Sequence, residues 1–300
     1  MTAVTPVTSD PPLVASKPSA ASIAKKRLSS PWASLFAIVI AVLWTIPTFG
    51  LLVSSFRPER AIKRTGWWTF FSDPQVTLDN YRSVFGADGG VNMADFFVNS
   101  LVICIPSVLI PLALASLAAY AFAWIDFKGK NFLFIAIFAL QIVPLQVTLL
   151  PLLKIFVDIN LTGTFWTLWI AHSTFALPLA IYLLHNFMRE VPATLIEAAR
   201  VDGAGSWQQF RRIVLPLSRP ATVTVIILSL IGGLRSFDLI WAMTRGGPGF
   251  TSDVIASVIY KQYQAGFYGL STAGNVVLFI TVTAIILPLS WFLNRKEVDL

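Results

Sequence analysis

Apolar residues run through this chain in long blocks separated by short polar stretches. A helix of about 20 apolar residues crosses a bilayer, because each residue rises about 1.5 Å and the hydrocarbon core is about 30 Å thick. Six blocks reach that length, at about 33–54, 97–124, 132–157, 165–187, 219–241 and 272–293. The pattern predicts an all-α membrane protein with six transmembrane helices over residues 31–300. The first 30 residues, rich in Ser, Pro, Ala and Thr and closing on Lys25, Lys26 and Arg27, hold too little apolar surface for a core and are expected to be a disordered tail. A cleaved signal peptide would carry its charges directly before a short apolar core. Here the apolar run is late and long, so the first block reads as an uncleaved span.

Prolines interrupt the blocks at Pro47, Pro106, Pro111, Pro144, Pro151, Pro178 and Pro288. Each removes a rung of the helix ladder and frees a carbonyl. Inside a membrane that is tolerated where a neighbour or a wet cavity takes up the freed group. Two readings stay open: kinked spans around a passage, and the general abundance of proline in membrane helices.

Composition sharpens the picture. The chain is 56% hydrophobic and only 12% charged, against about 25% charged in soluble domains. So little charge cannot cover a water-exposed surface of this size. The net charge of +7 could suit nucleic acid, but the Lys and Arg residues sit in short loops between apolar blocks. Membrane lipid headgroups are the expected partner, and nucleic acid is not. The one cysteine, Cys104, lies inside an apolar block, so neither an intrachain disulfide nor a redox pair is available.

Six spans put both termini on one face. If that face is cytoplasmic, it carries Lys25, Lys26, Arg27, Lys128, Lys130, Arg189, Arg200, Arg211 and Arg212 among its basic residues. That agrees with the positive-inside tendency, although the first external loop keeps Arg57, Arg60, Lys63, Arg64 and Arg82. The external loops also hold WWTFF at Trp67–Phe71, RGGPG at Arg245–Gly249 and an aromatic run after Ile259. Such aromatics form either an interfacial belt or a docking surface.

One polar insert, residues 190–216, stands out between the fourth and fifth blocks. Pro192 suits a helix start, where its missing N–H is no loss. Gly203 and Gly205 suit a helix end followed by a turn. Ser206 and Gln209 have capping-box spacing for a second helix, and Trp207, Phe210, Ile213 and Val214 recur at helical intervals on its apolar face. Arg211 and Arg212 fall on the other side. The expectation is a helix–turn–helix with Ala198 and Ala199 small enough for close approach of another backbone. A knob for a partner and an amphipathic helix resting on lipid both fit these residues.

The insert resembles the signature loop of binding-protein-dependent ABC importer permeases. Glu197, Ala198 and Ala199 are followed after three residues by Gly203 and after nine more by Ile213-x-Leu215-Pro216. The text around it is similar to carbohydrate permeases of the maltose G-type, through SSFRPERAI at Ser54–Ile62, NSL at Asn99–Leu101 and AAYAFAWIDFKGK at Ala118–Lys130. One stretch departs: LRSFDLIWAMTRGGPG at Leu234–Gly249 resembles the F-type partner half.

That resemblance implies a bacterial plasma membrane location and an assembly. A second permease subunit would share the pathway, two ATPase subunits would bind ATP and Mg, and an extracytoplasmic sugar-binding protein would deliver the sugar, a di- or oligosaccharide or a glucoside. Residues 190–216 would be the cytoplasmic coupling loop seated in an ATPase cleft, with Glu197 anchoring it by polar contact and Gly203 permitting its turn. The chain itself contains no Gly-x4-Gly-Lys-Ser/Thr phosphate loop, so no cofactor is expected in it.

Polar residues inside spans are the remaining candidates. Arg235 and Asp238, three apart near the outer third of the fifth block, fit either a cavity wall or a local ion pair. Gln141 and Asn275 are candidates for the sugar path, with interhelical hydrogen bonding as the plainer reading. His172 reads as a packing histidine. An intramembrane enzyme finds no support, since HExxH is absent and the two histidines, His172 and His185, are thirteen apart. A secondary transporter would carry ion-coupling carboxylates, and the second, third, fourth and sixth blocks hold no Asp or Glu.

Overall fold

A computed structural model describes residues 31–87 and 92–295. The tail expected over residues 1–30 lies outside the described residues. Among the described residues the regular elements are helices: α1 (Pro31–Ser55), α2 (Glu59–Arg64), α3 (Asp79–Val84), α4 (Asp95–Trp124), α5 (Lys130–Ala139), α6 (Leu145–Asp158), α7 (Phe165–Glu190), α8 (Ala193–Val201), α9 (Ser206–Gln209), α10 (Arg219–Leu234), α11 (Asp238–Met243), α12 (Ile255–Gln264) and α13 (Tyr268–Asn294). Helices α1, α4, α7 and α13 are each long and apolar enough to cross a membrane, and two bent pairs raise the number to as many as six if each pair is one span.

One bent pair replaces the straight span expected of the third block; the other joins Ser206–Leu217 of the polar insert to α10 at 72°. Helices α5 and α6 meet at 105°. Pro144 starts the second of them and forces Val143 into an extended conformation (φ −72°, ψ 119°), because its ring crowds the residue before it out of the helical region. The fifth block likewise does not continue to residue 241. Helix α10 stops at Leu234, and a new short helix, α11, opens at Asp238.

Two compact units divide the chain between Leu51 and Leu52. In the first, α1 is apolar on every side, as suits a helix surrounded by lipid. In the second, α4 and α7 form the most extensive helix pair. The two run in the same direction and are pinned at both ends by indole N–H groups. Trp169 Nε1 donates to the Val102 carbonyl (3.1 Å), and Trp124 Nε1 donates to the Met188 carbonyl (3.0 Å). The first pin has a local cause. Pro106 lies four residues after Val102 and has no N–H, so the Val102 carbonyl lacks its intrahelical donor.

Buried clusters tie the remaining helices to this pair. Cys104 and Val108 of α4 meet Leu234 of α10, with Val282 and Ile285 of α13 against them. A Cβ on Gly233 would lie 2.6 Å from Cys104 Sγ, so that glycine serves close helix packing. Nearer the start of α7, Ile103, Leu168 and Ala171 pack with Leu239, Ile240 and Met243 of α11.

The segment after α1 is folded rather than loose. The buried Arg57 guanidinium, 2% exposed, donates to the Gly66 carbonyl (2.9 Å) and to the hydroxyls of Thr65 (2.6 Å) and Thr69 (3.0 Å). Glu59 accepts the backbone N–H groups of Tyr268 (3.0 Å) and Gly269 (2.5 Å). A carboxylate there satisfies first-turn donors of α13 and complements the positive end of its dipole.

The Trp169 pin yields a test. Trp169→Phe removes the donor from the Val102 carbonyl and is expected to cost about 1 kcal/mol. Pro106→Ala restores a backbone N–H to the same carbonyl. In the Pro106→Ala background the Trp169→Phe penalty should shrink to near zero, read as unfolding midpoints of the purified protein in detergent.

Candidate functional site

The polar insert folds as two helices around a glycine corner. Helix α8 follows Pro192, which sits at its N-cap (φ −59°, ψ 128°). The helix ends in a Schellman pair of bonds: Gly203 N–H to the Arg200 carbonyl (3.0 Å) and Ala204 N–H to the Ala199 carbonyl (2.8 Å). Gly203 has φ +81°, and a Cβ there would meet no neighbour. Backbone conformation, not space, demands glycine at this corner.

Helix α9 begins one residue earlier than the Ser206–Gln209 box would place it. Gly205 takes the N-cap, with its N–H donating to Gln208 Oε1 (3.2 Å). Gln209 turns back instead, and its Nε2 donates to the Ala204 carbonyl (2.7 Å). The helix continues as a π turn over Phe210–Val214 and a last turn over Leu215–Leu217. The wide turn ends two residues before Pro216, where the missing N–H interrupts the ladder.

The signature residues divide between two faces. Ile196, Phe210 and Val214 are buried, and Ile213 and Leu215 are half-buried. They share one core with Ala115, Ala119 and Tyr120 of α4, Leu184 and Met188 of α7, and Ala221 and Val225 of α10. Tyr120 also donates its hydroxyl to the Ser206 carbonyl (3.1 Å), and its ring meets Phe210 edge-on at 5.2 Å. The insert is therefore seated firmly on the ends of three long helices.

Glu197, Ala198, Arg200 and Asp202 are exposed on the other face, with Ala199 half-buried, while the exposed Trp207 and Pro216 stay on the Phe210 side, beside Leu112 and Ser116 of α4. Glu197 has no ion pair among the described residues. The polar anchor implied for it is not made within this part of the chain, and its carboxylate stays available to another protein.

A second feature lies deeper. A cavity of about 210 Å³ opens between α4, the corner after α5, α7 and α10, lined by Ser107, Gln141, His172, Phe175, Ser229 and Gly232, among others. The Ser107 hydroxyl and His172 Nε2 are buried and have no hydrogen-bond partner. Pro111 also denies the Ser107 carbonyl its usual donor. Each buried polar group left unpaired costs about 1–3 kcal/mol, so the cavity is prepared for a hydrogen-bonding guest.

Of the polar span residues expected to matter, only Gln141 lies on this cavity. Asn275 is half-buried and donates Nδ2 to the Ser271 carbonyl of its own helix (3.0 Å). Arg235 and Asp238 are exposed and form no ion pair with each other. The local pair, one of the two readings open for them, is not formed, because α10 ends before Arg235 and the two do not share a helical face. His172 lines the cavity instead of packing as a satisfied core histidine. Ser107 and Ser229 were missed. The only sequence signal was the four-residue spacing from Ser107 to Pro111.

Comparison with known proteins agrees with this arrangement. Residues 111–295 match the family model described as binding-protein-dependent transport system inner membrane component. The osmoprotective compounds uptake permease protein GgtD of Synechocystis sp. is 39% identical over 266 residues, which cover 86% of this chain and 87% of that protein. The alpha-glucoside transport system permease protein AglG of Rhizobium meliloti is 34% identical over 251 residues, 81% of this chain and 65% of that protein. The fold matches a chain in the crystal structure of a bacterial ABC transporter involved in import of the acidic polysaccharide alginate. That match has a TM-score of 0.69 and 17% identity over 92% of this chain and 100% of that one.

The two glycines of the corner should respond differently to substitution. Gly203→Ala forces an L side chain into the left-handed region at a cost of about 1–2 kcal/mol. Gly205 has φ −69° and open space around it, so Gly205→Ala should be nearly neutral. Limited trypsin digestion of membranes, followed at Arg200, should accelerate several-fold in the first variant and stay at the parent rate in the second.

Proposed function

The chain belongs to the family of inner-membrane components of binding-protein-dependent transport systems, and from that premise we propose that it is the permease subunit of an ATP-driven sugar importer. It is a multi-pass inner-membrane protein and not an enzyme in its own right. In this reading it forms the translocation pathway with a second permease subunit. Two ATPase subunits below supply the work, binding ATP and Mg that this chain has no phosphate loop to hold. An extracytoplasmic binding protein hands over the substrate. The polar insert and both termini are cytoplasmic.

The observation that carries the coupling role is the shared core beneath the insert. A force applied to the exposed face around Glu197 and Ala198 cannot be absorbed by the loop alone. Ile196, Phe210 and Val214 are buried together with side chains of α4, α7 and α10, and close-packed interiors transmit displacement rather than yield to it. Movement of an ATPase cleft would therefore tilt those helices as a body and open the cavity between them to alternate sides.

The substrate reading draws on the relatives and on the cavity. The named relatives handle osmoprotective compounds and alpha-glucosides, so a di- or oligosaccharide or a glucoside is proposed for this chain. Sugars need hydrogen-bonding side chains beside an aromatic face, and the cavity offers Ser107, Gln141 and His172 beside Phe175. Arg235 and Asp238 are assigned to the outer rim of the path. Asn275, committed to its own helix, is assigned no contact with substrate.

The assembled importer in proteoliposomes tests both parts. Gly203→Leu and Glu197→Lys should each lower binding-protein-stimulated ATPase and uptake by about tenfold or more, equivalent to at least 1.4 kcal/mol, with the protein still present in the membrane. Coupled uptake at the parent rate in both variants would remove the coupling role. Gln141→Ala should reduce uptake several-fold while Asn275→Ala stays near the parent. Equal rates in the two would remove the cavity from the path.

A further inference from the structure

A second pocket lies at the far end of α7 from the polar insert. Helix α7 has 26 residues, so about 39 Å separates its ends at 1.5 Å per residue, more than a hydrocarbon core of about 30 Å. The pocket, about 270 Å³, opens between the first turns of α7 and the glycine-rich loop after α11. Trp166 and Trp169 form one wall, Gly163 closes one end, and Gly247, Thr251 and Ser252 face them.

The walls are built and not incidental. Trp169 is fixed by its bond to the Val102 carbonyl and by Phe165 stacked on it (5.9 Å, 17°). Trp166 stands edge-on to Trp169 (5.1 Å, 78°), is 55% exposed, and makes no indole hydrogen bond among the described residues. Across the pocket, the Thr251 hydroxyl donates to the Pro248 carbonyl (2.7 Å) and the Ser252 hydroxyl to the Gly247 carbonyl (2.7 Å). The exposed Thr251 oxygen therefore keeps lone pairs free to accept, whereas the buried Ser252 hydroxyl is also held to the Thr244 hydroxyl (2.8 Å). The loop is held from below by Asp253, fully buried, which takes an ion pair from Lys261 (2.5 Å) and a hydrogen bond from Ser257 (2.8 Å).

No Asp, Glu, Lys or Arg lines the pocket, so nothing in it favours a phosphate, a carboxylate or an amine. What it offers is an exposed aromatic face, a free indole donor and the Thr251 hydroxyl as an acceptor. We propose that this pocket is a sugar-ring subsite on the extracytoplasmic face, separate from the cavity within the bundle. The apolar C–H face of a pyranose covers the Trp166 ring, and its hydroxyls exchange hydrogen bonds with the indole N–H and with the Thr251 hydroxyl. The volume falls below the range of about 300–1,000 Å³ usual for drug-sized ligands, so the site takes one ring and not a chain. It rests on the importer reading, and its place is a receiving station between release from the binding protein and entry to the bundle.

Saturation-transfer NMR on the assembled complex in nanodiscs, without binding protein or nucleotide, tests the assignment with maltose, trehalose and sucrose as probes. Transfer to at least one sugar is expected. Trp166→Ala should reduce it about fivefold, the loss of one aromatic contact. Trp166→Phe should keep most of it, and Gln141→Leu in the bundle cavity should leave the Trp166-dependent part unchanged. Trp166 is mostly exposed, so its replacement leaves the core intact. Uptake by vesicles of the same complex, now supplied with its binding protein and ATP, separates the two possible failures. Import of a probe sugar with transfer that is absent, or equal in parent and Trp166→Ala, overturns the subsite alone. Import of none of the three overturns the sugar reading and the subsite with it.

Discussion

The second unit of the molecule is organised by the pairing of α4 with α7. Two parallel helices in lipid gain nothing from the hydrophobic effect between them, since hydrocarbon surrounds them in any case. Their association depends on packing and on hydrogen bonds that lipid cannot supply. The indoles of Trp169 and Trp124 provide such bonds at the two ends of the pair, one of them to a carbonyl that Pro106 has deprived of its own donor. Much of the unit attaches to this pair: α10 and α13 through Cys104 and Val108, α11 through Ile103 and Leu168, and the polar insert through Tyr120 and Met188.

Proline has more than one role in this architecture. At Pro106 the freed carbonyl becomes an anchor for a neighbouring helix. At Pro111 the freed carbonyl belongs to Ser107, whose hydroxyl is itself unpaired at the cavity. At Pro144 the chain turns through 105° and delivers Gln141 to the same cavity. Pro216 follows the π turn, and the chain then bends by 72° between Leu217 and Arg219 into α10. At Pro106, Pro111 and Pro144 the consequence of the proline is thus set by what its freed carbonyl or its bend meets.

The insert shows how a surface element and a core element can be one piece of chain. Its signature combines a left-handed glycine, small residues on an outward face and a buried Phe210–Val214 face. The glycine sets the angle between α8 and α9, and the buried face fixes that corner to three long helices. A loop joined to the bundle only at its two ends would flex locally. This one shares a core with the helices it is proposed to move, and that is the physical basis of the coupling reading.

Much of this was legible from the order of residues. Apolar blocks long enough to cross a bilayer, too little charge for a soluble surface and the spacing from Glu197 to Pro216 follow from chain chemistry over short distances, and they are sufficient for a helical membrane protein of this family. The capping register slipped by one residue because Gly205 and Ser206 both suit an N-cap, and only the bond from Gly205 to Gln208 separates them. The cavity and the tryptophan pocket were out of reach for a different reason. Ser107, Gln141 and His172 are far apart in the chain, as are Trp166 and Thr251, and whether a polar group is satisfied depends on which helices become neighbours. Local sequence determined where the helices are and how the insert turns. Only the tertiary packing of α4, α5, α7 and α10, and of the loop after α11 on the start of α7, decided which polar groups would face one another.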